Sequence, residues 1–219
     1  MVKWAVAVGN QFRSMPPARL ARSRLPPETV ALATALWQRD PVTGSHCDRT
    51  HSLALELGRA AAVPQCDLTT LGLAAQLHDI GKIGIPDTVL LKPGRFSPSE
   101  LEVMMTHAQR GHDILVTVPN DRIVAVAKVV LHHHEAFDGQ GYPHGLQGEA
   151  IPPLARIIAI ADSYDAMATE RPYHHARSHD SILRILFEEE AGKYDPYLVS
   201  KFAALIETSP FRSQGRSLQ

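Results

Sequence analysis

Apolar residues recur at helical spacing along most of the chain, and the breaks between these stretches carry capping residues and prolines. Asp67 precedes Leu68, Leu71, Ala74, Ala75 and His78, which is an N-cap residue followed by one face of a helix. Ser97-Pro98-Ser99-Glu100 forms a capping box with proline at the first helical position, and it opens a helix through Leu115. Pro119-Asn120-Asp121 starts a helix running to about His134, Pro152-Pro153 one through Thr169, and Asp195-Pro196 a last one through Glu207. Two more are expected over 27–38 and 45–62. No stretch alternates apolar and polar residues between hairpin turns. The irregular segments are 81–97, 135–153 and 171–178, the middle one rich in glycine and therefore tightly turning. The pattern predicts an all-α bundle of about seven helices with three substantial loops.

Composition narrows the function classes. The 219 residues carry a net charge of −1, which argues against a nucleic-acid polymer or a polybasic membrane surface as partner. No apolar run approaches the roughly 20 residues of a membrane span. Cys47 and Cys66 are too few for a disulfide framework, so a reducing cytoplasm is the expected location, and both read as small buried side chains. Residues 1–27 hold arginines and prolines without an acid and read as a flexible lead-in or the remnant of a longer upstream region. Residues 28–208 form the folded domain and 209–219 a flexible tail.

The unusual component is histidine, 12 in all, and several interrupt apolar faces. His78-Asp79 ends a helix whose preceding residues are nearly all apolar, and burying that pair without a partner costs several kcal/mol. Alone, the dipeptide is more readily a capping Asp beside a satisfied core His than a metal site. It is not alone, however. His46 begins one helix, His107 lies on the helix opened by Ser97, and His133 and His134 end the stripe Ile123, Val126, Val130. Asp162 interrupts an Ile/Ala run, and Asp165 repeats the acid one turn later on the same face. These ligand-type residues are each about one helix and one connection apart, so they can meet at a bundle centre, as in two-metal helical proteins. His132 falls on a different side of its helix and reads as a surface residue or one behind the ligands, and His51, His112, His144, His175 and His179 read as exposed or loop positions.

His78-Asp79-Ile80-Gly81-Lys82-Ile83-Gly84-Ile85-Pro86 resembles the HD signature of the HD-GYP family. His133-His134-Glu135 and Asp138-Gly139-Gln140-Gly141-Tyr142-Pro143 resemble its second signature, and Arg171-Pro172-Tyr173 continues the match. The likeness runs from about Glu28 to Glu207. It implies an HD-type bundle and a cytoplasmic, metal-dependent phosphodiesterase that opens cyclic di-GMP to pGpG or GMP. It also implies that His46, His78, Asp79, His107, His133, His134 and Asp162 are metal ligands. Asp79 would bridge two cations, with His46, His78 and Asp162 around one and His107, His133 and His134 around the other. Some family members carry a metal-binding Glu four residues before the first His. Val42 stands here, which favours two metals over three.

Such a site suits phosphodiester hydrolysis, because two cations neutralise the anionic substrate and provide a nucleophile at neutral pH. Mixed His/carboxylate ligands favour iron or manganese, with zinc as the alternative, over magnesium or calcium. Lys82 matches the family lysine near the scissile phosphate, and with Asp79 it is the residue the resemblance places in catalysis, where it would add positive charge at the pentacoordinate phosphorus. The resemblance implies that Gly141, Tyr142 and Pro143 shape the substrate cleft or contact GGDEF-domain partners; the alternative is that Gly139 and Gly141 simply allow positive φ and Pro143 stiffens the turn. Arg171 is expected to clamp a phosphate or stack on guanine, and His174 stands where the family often has a basic residue. Two alternatives keep their place: another cyclic dinucleotide such as cyclic GMP-AMP as substrate, and a non-catalytic signalling or interaction module.

Overall fold

The computed structural model describes residues 25–170, 175–189 and 192–215. Within these the chain is helical, with no strand beyond the isolated bridges Asp138–Gln147 and Ser178–Gln214. The helices are α1 (Pro27–Arg39), α2 (Pro41–Ala60), α3 (Gln65–Leu77), α4 (Asp87–Leu90), α5 (Pro98–Met105), α6 (His107–Leu115), α7 (Asp121–Leu131), α8 (Pro153–Ala168), α9 (His179–Arg184) and α10 (Pro196–Ile206). A 3-10 segment, Ile80–Gly84, follows α3.

Helix α3 is the central pillar. From Leu71 to Leu77 every residue is buried, so it is enclosed on all sides, by α2, α7 and α8 among others. Close packing on α2 needs Gly58, where a Cβ would stand 2.7 Å from a Leu71 methyl. The other side of the core is organised around Tyr164 and Phe202, edge to face at 5.0 Å, which join α8 to α10.

The departures from the expected elements have local causes. Asp67 lies in the first turn of α3, and the N-cap position is Pro64. The helix expected over 98–115 is two, because the Thr106 hydroxyl takes the Val103 carbonyl at 2.7 Å and tightens the turn between α5 and α6. The chain leaves helical geometry after Leu131, so His133 and His134 sit in a turn beyond α7. Helix α9, with a π-type turn Ile185–Glu189, and the single turn α4 bring the described helices to ten rather than about seven. The tail is not loose up to Gly215: the Ser213 amide donates to Tyr164 Oη at 2.9 Å and its hydroxyl to the Arg177 carbonyl at 2.6 Å. Of the expected lead-in, Leu25 is buried and Pro27 already belongs to α1, while 1–24 lie outside the described residues.

Candidate metal centre

His46 projects from the second turn of α2, His78 and Asp79 from the end of α3, and His107 from the first residue of α6. His133 and His134 follow α7, and Asp162 lies on α8. The fold brings all seven into one cluster, in which His134 and Asp162 are half-buried and the other five buried. The donor atoms of His46, His78 and Asp79 lie within 4.8 Å of one another, as do those of His107, His133 and His134. Asp162 Oδ1 is 2.9 Å from His46 Nε2 and 3.8 Å from His78 Nε2. Asp79 stands between the two groups, with Oδ1 3.6 Å from His107 Nε2 and Oδ2 3.5 Å from His78 Nε2.

The backbone sets the imidazole tautomers. His78, His107 and His133 each turn Nδ1 toward the carbonyl three residues earlier, Ala75 at 2.9 Å, Met104 at 2.8 Å and Val130 at 2.6 Å. A carbonyl accepts only, so Nδ1 carries the proton and Nε2 offers a lone pair inward. His107 Nε2 and His133 Nε2 then face each other at 3.3 Å with no proton between them. The buried His78 Nε2 has no hydrogen-bond partner. Two opposed lone pairs and an orphaned nitrogen beside two carboxylates form a donor set that fits divalent cations.

Charge supports the same fit. Burial, and then the neighbouring His134, push His133 far below the usual imidazole range. Burial and His107 bring His134 to about 3. Both are therefore neutral, as ligands must be. Burial raises Asp79, yet Lys82, His78 and His107 outweigh it and keep the carboxyl ionised. His46 runs the other way: burial disfavours its charge, but Asp162 and Asp165 overcome it and raise its pKa to about 9, so holding a cation there requires release of the Nε2 proton.

Asp165 is the residue whose part the sequence leaves open, since it shows only an acid one turn after Asp162. Its Oδ2 accepts from His46 Nδ1 at 2.6 Å, and Arg49 holds the same carboxylate through Nε at 2.6 Å and Nη2 at 3.0 Å. A carboxylate behind an imidazole fixes the ring and raises its basicity toward a metal. Arg39 is a second unforeseen contributor. Its guanidinium binds Asp87 and the carbonyls of Lys82, Ile83 and Ile85, fastening the 3-10 segment that carries Lys82. Lys82 Nζ lies 2.7 Å from Asp79 Oδ2, and that carboxylate keeps it protonated despite burial.

The loop after α7 is folded back on the centre by Glu135, which accepts the His144 amide at 2.8 Å and the Leu146 amide at 3.0 Å. Tyr142 stacks 4.8 Å from His134 and forms a wall, while Pro143 is exposed. Gly139 needs its positive φ of 84°. Gly141 is needed for a different reason: a Cβ there would lie 2.2 Å from the Ala136 amide nitrogen. A polar cavity of about 550 Å³ opens here, lined by His133, His134, Asp138, Tyr142, Ser163 and Lys193.

Arg171 and His174 lie outside the described residues. Two histidines expected to be exposed are buried. His51 bonds the Gly72 carbonyl at 2.8 Å, and His179 bridges Tyr164 and Glu207. Cys66 is exposed rather than buried, whereas Cys47 is buried.

The HD domain family profile matches residues 30–198. The chain is 40% identical over 173 residues to the cyclic di-GMP phosphodiesterase response regulator RpfG of Xanthomonas campestris, covering 78% of this chain and 46% of that protein. It is 36% identical to the 3'3'-cGAMP-specific phosphodiesterase 2 of Vibrio cholerae, covering 77% of this chain and 32% of the relative. The chain thus spans less than half the length of these curated relatives. Its fold matches that of Bd1817, a HDG"Y"P protein from Bdellovibrio bacteriovorus, with TM-score 0.62 at 20% identity over 75% of this chain and 52% of that one.

Proposed function

Since this chain belongs to the HD domain family, with the HD-GYP signatures in place, we propose that it is a metal-dependent phosphodiesterase that hydrolyses cyclic di-GMP to pGpG or GMP. The observation that carries the reading is the opposition of His107 Nε2 and His133 Nε2 at 3.3 Å beside the unpartnered His78 Nε2. In this assignment His46, His78, Asp79 and Asp162 hold one cation, and Asp79, His107, His133 and His134 the other. Iron or manganese is the preferred metal and zinc the alternative.

When bound, such cations neutralise the phosphodiester and supply a nucleophile at neutral pH. The chain's own residues do the rest. Asp165, backed by Arg49, keeps the His46 ring turned toward the centre. Lys82, fixed by Asp79, provides positive charge where negative charge builds on the phosphoryl oxygens. Water adds to phosphorus, the bond from phosphorus to a sugar oxygen breaks, and that oxygen takes up a proton. Tyr142 and the loop that Glu135 clamps flank the cavity in which a base of the dinucleotide is held. Arg171 and His174 are retained as substrate contacts of this reading. Cyclic di-GMP is an internal messenger, so the site of action is the cytoplasm.

The relative named for cyclic GMP-AMP motivates a second substrate. The test is a panel in which iron- or manganese-loaded protein, prepared without oxygen, meets cyclic di-GMP, cyclic GMP-AMP and cyclic di-AMP. Turnover is expected with cyclic di-GMP and is expected to be fastest there. Preference for cyclic GMP-AMP would shift the substrate assignment, and no turnover with any metal would remove the enzyme reading.

A further inference from the structure

The opposite side of the same loop carries a second set of donors that the hydrolytic centre does not use. His132, the C-cap residue of α7, is about nine-tenths buried, yet its Nδ1 has no hydrogen-bond partner. The nearest acceptor is Glu135 Oε1 at 3.5 Å, beyond the usual 2.7–3.2 Å of an N–H···O bond. Across the turn, the His144 ring lies 5.3 Å from that of His132, and the donor atoms of all three residues fall within 4.8 Å of one another.

We propose that His132, Glu135 and His144 form a separate zinc-class site that pins the loop 135–147 to the end of α7. Two imidazoles and one carboxylate, with water in the fourth position, are a known zinc set. Bonds of 2.0–2.1 Å in a tetrahedron leave neighbouring donors about 3.3 Å apart, near the separation of His132 Nδ1 and Glu135 Oε1. The site is partly built in advance. Glu135 is fixed by the amides of His144 and Leu146, one on each oxygen, and each oxygen keeps a second lone pair for a cation. His144 is exposed and gives the ion a route from solvent. Magnesium and calcium prefer oxygen donors, and manganese binds such sites more weakly than zinc, so the ion is separable from manganese at the main centre.

The test is elemental analysis of the whole chain after dialysis against micromolar zinc and gel filtration. Wild type is expected to keep one more zinc per chain than His144→Ala, and one more than His132→Leu. Equal zinc in wild type and His144→Ala overturns the site. So does retention of the extra ion in His132→Leu, which would place it elsewhere. A hydrolytic centre that failed to load would lower every total equally and leave these differences unchanged, so the two assignments fail separately.

Discussion

Replacing Asp79 with alanine is expected to lower cyclic dinucleotide hydrolysis by about 10³-fold or more, several kcal/mol of transition-state stabilisation. Three losses combine. The shared carboxylate between the two donor groups disappears. His78 and His107 lose the negative charge 3.5 Å and 3.6 Å away. Lys82 is left in a low-dielectric setting without the partner at 2.7 Å that keeps it protonated. Metal content and turnover measured on the same preparation check it, with circular dichroism to establish that the helices persist. Full activity in this variant would remove Asp79 from the mechanism.

The second large effect is expected one layer out. Asp165→Ala leaves every proposed ligand in place but frees His46 Nδ1 and leaves Arg49 without its carboxylate. Outer partners of metal-bound histidines are worth about 10–100-fold in metal affinity or activity. Chelator competition is therefore expected to show weaker metal retention of that order, with turnover largely recovered at saturating metal. A conservative Asp165→Asn, which still accepts a hydrogen bond, is expected to fall between the two. Unchanged retention in Asp165→Ala would make this carboxylate merely structural.

Much of this arrangement was legible because it follows from period and chemistry. The stripe Leu68, Leu71, Ala74, Ala75 marks a buried helix, and a histidine and an aspartate ending that stripe require partners wherever the chain goes next. The other ligand-type residues are each about one helix and one connection apart, a spacing that allows them to meet at a bundle centre. What stayed hidden depends on atoms brought together over long separations. Arg49 lies one turn after His46 and reads as a surface arginine until α8 brings Asp165 against it, 116 residues away in sequence. Arg39 ends α1 like any basic residue in a last turn, and only the tertiary fold shows it gripping three carbonyls of the 80–85 segment. His51 and His179 sit among polar neighbours, so their burial could not be told from pattern; a backbone carbonyl and a tyrosine hydroxyl satisfy them. The break at Thr106 depends on a hydroxyl choosing a carbonyl, a local competition that hydrophobic period does not record.

The most direct test is to count iron or manganese per chain in an oxygen-free preparation and to follow cyclic di-GMP in that same sample. Two ions per chain, with hydrolysis rising in step with metal content, is the result expected if His46, His78, Asp79, His107, His133, His134 and Asp162 act as one centre. A folded protein that takes up neither metal, or that cleaves the substrate equally well once stripped of it, would contradict the account.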